Sequence, residues 1–536
     1  MLWARNLLFL GLVGGGLVVL GLKLMPPRKP DRLSDYESAA DRDKELTATV
    51  ARVDAAFRDP RTANGIQPAP PAPELQQARR IALGLMGTVP SLEEIRQLEA
   101  LPPGQRAAWY LDHVLEDTRF HDYLAERLAR AYVGTEDGPF LLFRRRRFVT
   151  WLSEQVATNR PYDQLVRELI AGDGVWTDHP STNFLTVTAQ QDKGNAPNPV
   201  RLAGRVTRAF LGVRIDCAEC HNHPFAPWKQ TDFQGLSAFF GQTKLGFRGI
   251  QDGEGEYTVE DKKKELETVV AAKVPFSEDL LPRDGERRDR LAAWVTHPKN
   301  PYFARATVNR VWALMTGKPL VEPVDNLDIE GPLPAPLTIL ADDFSAHGYD
   351  LRRLIRIIAR TQVFRLDSAS PNDVGESEER LWAVFPMSRL RPEQVAGSVI
   401  QAGVLSTVNA ESHIAARLVR QTQQSQFIQR YGDTGEDEFE GRGGTIPQRL
   451  LMMNGELVRE RIKEGPFNIP TRVAVLAPDD PKAVEVAYLA VLSRRPTPAE
   501  ADHFEKLLQD KSVSRARRLE DLFWALINST EFSWNH

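Results

Sequence analysis

Only two of the 536 residues are cysteines, Cys217 and Cys220, so the fold cannot rest on a network of disulfides. The chain must instead be held together by hydrophobic cores, and its 42 % of hydrophobic residues is typical of globular proteins. A length prior of about 150 residues per domain predicts roughly three units. The two cysteines can therefore serve a single local site at most.

The charge balance limits the classes of partner. Lys and Arg number 68 against 72 Asp and Glu, which gives a formal net charge of −4. Dedicated nucleic-acid binders usually carry a strong basic excess. We therefore expect no nucleic-acid partner.

The N-terminus carries an apolar run over residues 7–22. As a helix it would be about 24 Å long, slightly shorter than a hydrocarbon core of about 30 Å. Lys23-Leu24-Met25-Pro26-Pro27 follows without the pair of small residues that precedes a cleavage site. We therefore assign residues 1–25 to an uncleaved signal anchor that spans the cell membrane once. The positive charges after the run favour a cytoplasmic C-terminal side, whereas the cysteine motif favours an extracytoplasmic, periplasmic location for the soluble part, which we adopt.

The remainder predicts a mainly α fold, with the membrane anchor followed by two helical domains. Helical spacing of apolar residues recurs along the chain, and Ser91–Glu94 and Thr497–Glu500 have the pattern of helix-capping boxes. The predicted units are a linker with a helical stretch and a proline-rich spacer (26–73), a first domain (74–248), a charged, glycine-containing linker (249–282) and a C-terminal domain (283–536).

The cysteines belong to one C-x-x-C-H motif, in which Cys217 and Cys220 precede His221 directly. This is the attachment sequence of c-type haem. The two thiols add to the two vinyl groups of one porphyrin, and the histidine that follows ligates the iron. The motif therefore predicts haem c bound by Cys217, Cys220 and His221.

Other uses of the motif stay open. A zinc or iron site could use the two cysteines with His221 and His223, although the histidines are closer together than in the usual zinc spacing. A disulfide between Cys217 and Cys220 could instead stabilise a binding or scaffold protein at the cell surface. A metal-dependent hydrolase is a third reading, and whether the protein is an enzyme is left undecided because no named catalytic motif is present.

Long stretches of the sequence resemble a known pair of domains. DCAECHNHPFAPWKQTDFQGLSAFF, from Asp216, and NRPYDQLVRELIAGDG, from Asn159, resemble the planctomycete cytochrome-like domain of unknown function. RLAAWVTHPKNPYFARATVNRVWALMTGKPLVEPVDNLD, from Arg290, is similar to the domain that is usually fused behind it. The resemblance covers about residues 75–245 and 283–530.

The resemblance implies an exported, often membrane-attached protein that carries a C-x-x-C-H motif. Together with the motif, it leads to the expectation of a membrane-anchored, extracytoplasmic, cytochrome-like protein with an electron-transfer or redox role. We expect the membrane and a redox or protein partner as its contacts. Neither the pattern nor the resemblance indicates a substrate or the role of the second domain.

Overall fold

The computed structural model describes residues 43–536, except 136–137, 140, 191–193, 262–265, 329–330, 372–373, 409–413, 433–438, 440–443, 466–467 and 511. It is 59 % helix and 5 % strand, which confirms the predicted mainly α fold. The predicted membrane anchor, residues 1–25, lies outside the described residues. Within the described part, no helix is long and apolar enough to cross a membrane.

The first half of the chain contains ten α-helices and two hairpins in the described residues. The helices are α1 Lys44–Ala63, α2 Glu74–Met86, α3 Leu92–Glu99, α4 Arg106–Glu116, α5 Thr118–Val133, α6 Arg145–Ala157, α7 Tyr162–Ala171, α8 Asn183–Thr186, α9 Pro199–Val206 and α10 Gln230–Ser237. Two antiparallel hairpins follow, β1 Thr243–Gly246 with β2 Gly249–Asp252, and β3 Thr258–Asp261 with β4 Leu266–Val269.

The second half is also helical, with one short strand pair near its end. Its helices are α11 Arg287–Val295, α12 Phe303–Thr316, α13 Ala335–Ala346, α14 Leu351–Arg360, α15 Gln362–Arg365, α16 Glu376–Arg380, α17 Pro392–Ala402, α18 Ile414–Tyr431, α19 Ile446–Asn454, α20 Glu456–Ile462, α21 Ile469–Leu476, α22 Asp480–Leu492, α23 Pro498–Gln509 and α24 Arg515–Ile527. The antiparallel strands are β5 Ser388–Arg389 and β6 Trp534–Asn535.

Both predicted capping boxes are confirmed. The Ser91 side chain accepts from the Glu94 backbone N–H at 3.0 Å, and Glu94 Oε2 accepts from the Ser91 N–H at 2.7 Å. Thr497 and Glu500 repeat the pattern at the start of α23. These bonds satisfy amide groups that the first turn of a helix leaves without a partner.

Two hydrophobic clusters form the interior of the described part of the chain. The larger one extends from Leu46 to Phe385 and so combines both predicted domains. The smaller one joins Leu83, Val89, Leu92 and Ile95 to residues between 390 and 532. The break between the two clusters along the second half therefore falls between residues 385 and 390.

Both predicted linkers are built into this structure where it is described. Helix α1 lies within residues 26–73 and packs on α13, where the Thr49 hydroxyl donates to Asp343 Oδ1 at 2.8 Å. Residues 249–282 hold β2, β3 and β4, and Ile250 is buried and pairs with Gly174. These strands were not predicted, because each is only four residues long and they are mostly polar, so they show no alternating apolar pattern.

Candidate functional site

The chain reaches the cysteine motif through a tight bend. Helix α9 passes into a π-helical turn, Thr207–Leu211, which ends at Gly212 with φ of 60°. A β-carbon at Gly212 would lie 3.1 Å from Ala306 Cβ, so both the backbone angle and the close packing favour glycine here. A short 3₁₀ helix, Asp216–Glu219, then carries the first cysteine.

Some side chains in and beside this 3₁₀ helix are buried, and others are exposed to solvent. Ile215 and Ala218 are buried in the larger hydrophobic cluster. Cys217 and Cys220 are exposed, and they are not bonded to each other. His221 is also exposed. The segment 216–221, called the cysteine turn below, thus presents both thiols and the imidazole at the surface.

The two histidines of the motif have different hydrogen bonds. Nδ1 of His221 lies 2.8 Å from the carbonyl oxygen of Asn222, and because a carbonyl only accepts, this nitrogen carries the proton. The lone pair of His221 is therefore on Nε2. Such a bond to a backbone carbonyl is the usual arrangement in a metal-ligating histidine.

His223 has the opposite tautomer. Its Nδ1 accepts from the backbone N–H groups of Phe225, at 3.2 Å, and Ala226, at 2.9 Å. The proton of the neutral ring must therefore be on Nε2, so neither nitrogen offers a lone pair to a metal. The prediction of His223 as a metal ligand is not supported by this geometry; the ring closes a loop, together with the His223 N–H bond to the Trp228 carbonyl at 2.8 Å.

Helix α10 holds the end of the cysteine turn. The Gln230 side-chain amide donates to the carbonyl oxygens of Glu219 and Cys220 at 3.3 and 3.1 Å. Its backbone N–H donates to Asn222 Oδ1 at 3.0 Å. These bonds fix the backbone on either side of His221.

The potential ligands of the motif do not converge on one point. In the described part of the chain, one group of three or more His, Cys, Asp or Glu residues has ligand atoms that all lie within 4.8 Å of one another, and it consists of Glu94, His113 and Asp117. The cysteine turn does not form such a group. Its potential ligand atoms are therefore spread more widely than this limit.

The group of Glu94, His113 and Asp117 is filled by an arginine. Arg119 Nη2 contacts Glu94 Oε1 and lies 2.7 Å from Asp117 Oδ2. Burial disfavours the ionised form of Glu94, but hydrogen bonds from His113 and Arg119, the charge of Arg119 and the Ser91 N–H outweigh it and lower the pKa of Glu94 to about 2. The carboxylates already have a cationic partner, so we assign this group to structure.

The cavities found in the described residues lie elsewhere. The larger has a volume of about 810 Å³ and is lined by residues of α1, α2, α4 and α14, among them Leu46, Ile81, Leu111 and Arg360. The smaller, of about 10 Å³, lies beside α5 and α7. Neither of these two cavities is lined by the cysteine turn.

One apolar side chain stands exposed next to the turn. Phe225 is 95 % exposed and belongs to the loop that His223 closes. Pro224 and Pro227 flank this part of the loop. The Phe225 ring is therefore exposed to solvent four residues from His221, on a backbone that the His223 hydrogen bonds hold in place.

Sequence reasoning missed the residues that support the turn from a distance. Arg214 and Arg208 pair with Asp325, in the loop after α12, at 2.8 and 3.6 Å. Arg208 also reaches Asp216, the first residue of the turn, at 3.1 Å. The sequence shows only that two arginines precede the motif. Nothing in the local pattern links these arginines to Asp325, which lies more than a hundred residues further along the chain.

Comparisons with known proteins divide the chain into two matched segments. Residues 52–245 match the PSCyt2 family model, described as a protein of unknown function (DUF1549). Residues 287–433 match the PSD1 model, described as a protein of unknown function (DUF1553). The two segments occur in the order of the expected fused pair. No curated protein and no solved structure matches the chain.

Proposed function

We propose that this protein is a membrane-anchored, extracytoplasmic protein that binds one c-type haem covalently and has an electron-transfer or redox role. Cys217 and Cys220 would form the two thioether bonds, and His221 would ligate the iron through Nε2. The observation that carries the proposal is the combination of two exposed thiols with a His221 ring whose Nδ1 is held by a backbone carbonyl.

The separation of the ligands favours haem over a single ion. One metal ion needs all its ligand atoms close to one centre, and those of the turn are not gathered within 4.8 Å. A haem takes thiols at the edge of the porphyrin and imidazole at its iron, so these groups act at separate points. The hydrogen bonds that His223 Nδ1 accepts from Phe225 and Ala226 also count against its use as the fourth ligand of the zinc or iron alternative.

The chain's own residues would prepare the attachment surface. The exposed thiols would be accessible to the porphyrin edge. Gln230 donates to the backbone carbonyls of Glu219 and Cys220, and so holds the backbone that carries Cys220 and leads into His221. The exposed Phe225 ring offers apolar contact area that suits a porphyrin face. When bound, the haem would supply one-electron chemistry.

The haem test uses four variants produced beside a cytochrome c maturation system. Wild type should retain haem colour on a denaturing gel and show the visible bands of haem. Cys217→Ser and Cys220→Ser should each lose a thioether bond, and His221→Ala should lose the native spectrum. His223→Ala is the matched control, since its ring does not offer a lone pair, and should keep covalent haem. Absence of covalent haem from the folded wild type would overturn the proposal.

The second candidate is a non-haem metal or disulfide-stabilised protein that binds or scaffolds at the cell surface. It is favoured by the exposure of both thiols and of His221 at the surface of the turn. Elemental analysis and thiol titration of the same samples separate the two functions. Bound zinc or a Cys217–Cys220 disulfide without visible absorbance would support this second function.

The location has its own test. Fusion of a reporter that is active only outside the cytoplasm to residue 536 should give activity, and removal of residues 1–25 should release the protein from the membrane fraction. An expressed but inactive reporter would contradict the extracytoplasmic location.

A further inference from the structure

The backbone that leads into the cysteine turn lies against the PSD1-matching segment, residues 287–433. Arg310 donates to the carbonyl of Ala209 at 2.6 Å, inside the π-helical turn. The Leu327 N–H donates to the carbonyl of Gly212 at 2.6 Å. The bend before the motif is therefore fixed by α12 and the loop that follows it, rather than by the PSCyt2-matching segment alone.

A buried carboxylate in that loop anchors two arginines. Asp325 is only 7 % exposed. Arg214 Nε lies 3.0 and 2.9 Å from its two carboxylate oxygens, and Arg214 Nη2 lies 2.8 Å from Oδ1. The neighbouring Asn326 side chain accepts from the Arg214 backbone N–H at 3.2 Å. This arginine is thus held through both its side chain and its backbone.

The second arginine extends the contact to the cysteine turn itself. Arg208 Nε lies 3.6 Å from Asp325, and its Nη2 lies 3.1 Å from Asp216 Oδ2. Asp216 directly precedes Cys217. The contacts Asp325–Arg208–Asp216 therefore connect a buried residue of the second segment to the start of the turn.

Helix α9 passes directly beside the Asp216 carboxylate. A β-carbon at Gly204 would lie 2.5 Å from Asp216 Oδ1, which is closer than real atoms approach. Glycine at this position lets the carboxylate lie directly on the helix. The Asp216 side chain therefore lies between α9 on one side and Arg208 on the other.

We infer that Asp325 is a positioning residue for the cysteine turn, and that one function of the PSD1-matching segment is to hold the thiols and His221 of the other segment in place. The part of this inference that concerns haem rests on the proposed function, whereas the contacts do not. Loss of the Asp325 charge removes the carboxylate that both arginines bind, and Asp216 then loses the support of a fixed Arg208.

Hydrogen exchange in the haem-free full chain tests the inference. The Ala218 N–H donates to Ile215 and the His223 N–H to Trp228, so a peptide covering residues 215–223 reports on the turn and the adjoining loop. In Asp325→Asn, we expect the amides of this peptide to exchange about tenfold faster than in wild type. The variant loses charge-assisted hydrogen bonds that oppose local opening of the turn, and a loss of this size corresponds to about that factor. Asp325→Glu should restore part of the protection.

Asp343→Asn is the matched control. Asp343 is similarly buried and binds Arg353 Nε and Nη2 at 2.9 and 3.0 Å, but it lies on α13, away from the turn. The Asp343→Asn variant should have a lower melting temperature, while peptide 215–223 keeps its wild-type rate of amide exchange. Equal acceleration of that peptide in both variants, or unchanged exchange in folded Asp325→Asn, would overturn the inference.

A milder variant keeps the test decisive if Asp325→Asn fails to fold. Arg208→Gln removes the charge that links Asp325 to Asp216 but leaves Arg214 paired with Asp325, and its partly exposed side chain makes unfolding a lesser risk. It should also accelerate exchange of peptide 215–223; unchanged exchange would refute the role of this link. In haem-loaded protein, Asp325→Asn should shift the redox potential with haem still attached. A wild type that takes no haem but shows the exchange effect would refute the proposed function and support the positioning role.

Discussion

Glu94 should stabilise the protein through its charge, and the size of the effect can be worked from its pKa. The pKa of this carboxyl falls from 4.5 to about 2 in the folded chain. At about 1.4 kcal/mol per unit, this difference corresponds to about 3 kcal/mol of unfolding free energy. Because the folded pKa is the lower one, the contribution is complete above pH 4.5 and is lost as the pH falls towards 2.

Glu94→Gln should remove this contribution. The variant keeps the shape of the side chain, but one of its two polar atoms becomes a donor and faces either the Ser91 N–H or Arg119. Urea unfolding followed by circular dichroism should give a loss of about 3 kcal/mol at neutral pH. The difference between wild type and variant should shrink to near zero as the pH falls from 4.5 to about 2.

Glu93→Gln is the control on the same helical turn. Glu93 is partly exposed and accepts from Thr407, so its loss should cost about 1 kcal/mol or less. A difference between Glu94→Gln and wild type that stays constant between neutral and acid pH would refute the assignment of Glu94 as a charged structural centre. The structural assignment would also be refuted if removal of Arg119 increased the affinity of Glu94, His113 and Asp117 for zinc without lowering the stability of the protein.

Three further changes test other parts of the structure. Arg80→Met should destabilise the folded chain by about 3 kcal/mol in urea unfolding, because Arg80 donates to the carbonyls of Phe364, Leu366 and His536 at 2.9, 2.6 and 2.8 Å; a change below about 1 kcal/mol would contradict this. Gly212→Ala should cost about 1 to 3 kcal/mol, since alanine disfavours φ of 60° and its β-carbon would crowd Ala306; an unchanged melting temperature would contradict it. His223→Ala should accelerate amide exchange of Phe225 and Ala226, and unchanged exchange would show that the ring does not close the loop.

The parts of the fold that the sequence predicts are those encoded locally. The capping boxes at Ser91 and Thr497 are confirmed because both partners of each bond lie within four residues. The short strands of residues 249–282 were missed because they bury few side chains and so lack an alternating apolar pattern. The packing of α1 on α13 and α14 could not be predicted, because these helices lie almost three hundred residues along the chain from α1.

The site follows the same rule. The motif alone identified Cys217, Cys220 and His221 as candidates, and the structure places all three on one exposed turn. The role of His223 depended on which ring nitrogen accepts, and spacing carries no information about a tautomer. Asp325 was missed as a support of the turn because ion pairs between distant residues leave no periodic signal.

Two properties of the turn therefore bear on how it works. Its thiols and His221 are at the surface, so a porphyrin bound there would stay partly open to a redox partner. Its backbone is supported by Gln230 on one side and by the contacts to Asp325 on the other. For the proposed haem attachment, an exposed but fixed turn would suit electron exchange, because the approach would be open while His221 is held in place.

Covalent haem attachment is tested most directly by the intact mass of the full chain after production beside a cytochrome c maturation system and denaturation. We expect a mass increased by one haem, with the addition located on the peptide that contains Cys217 and Cys220. The unmodified mass, with both thiols still reactive or joined as a disulfide, would contradict it.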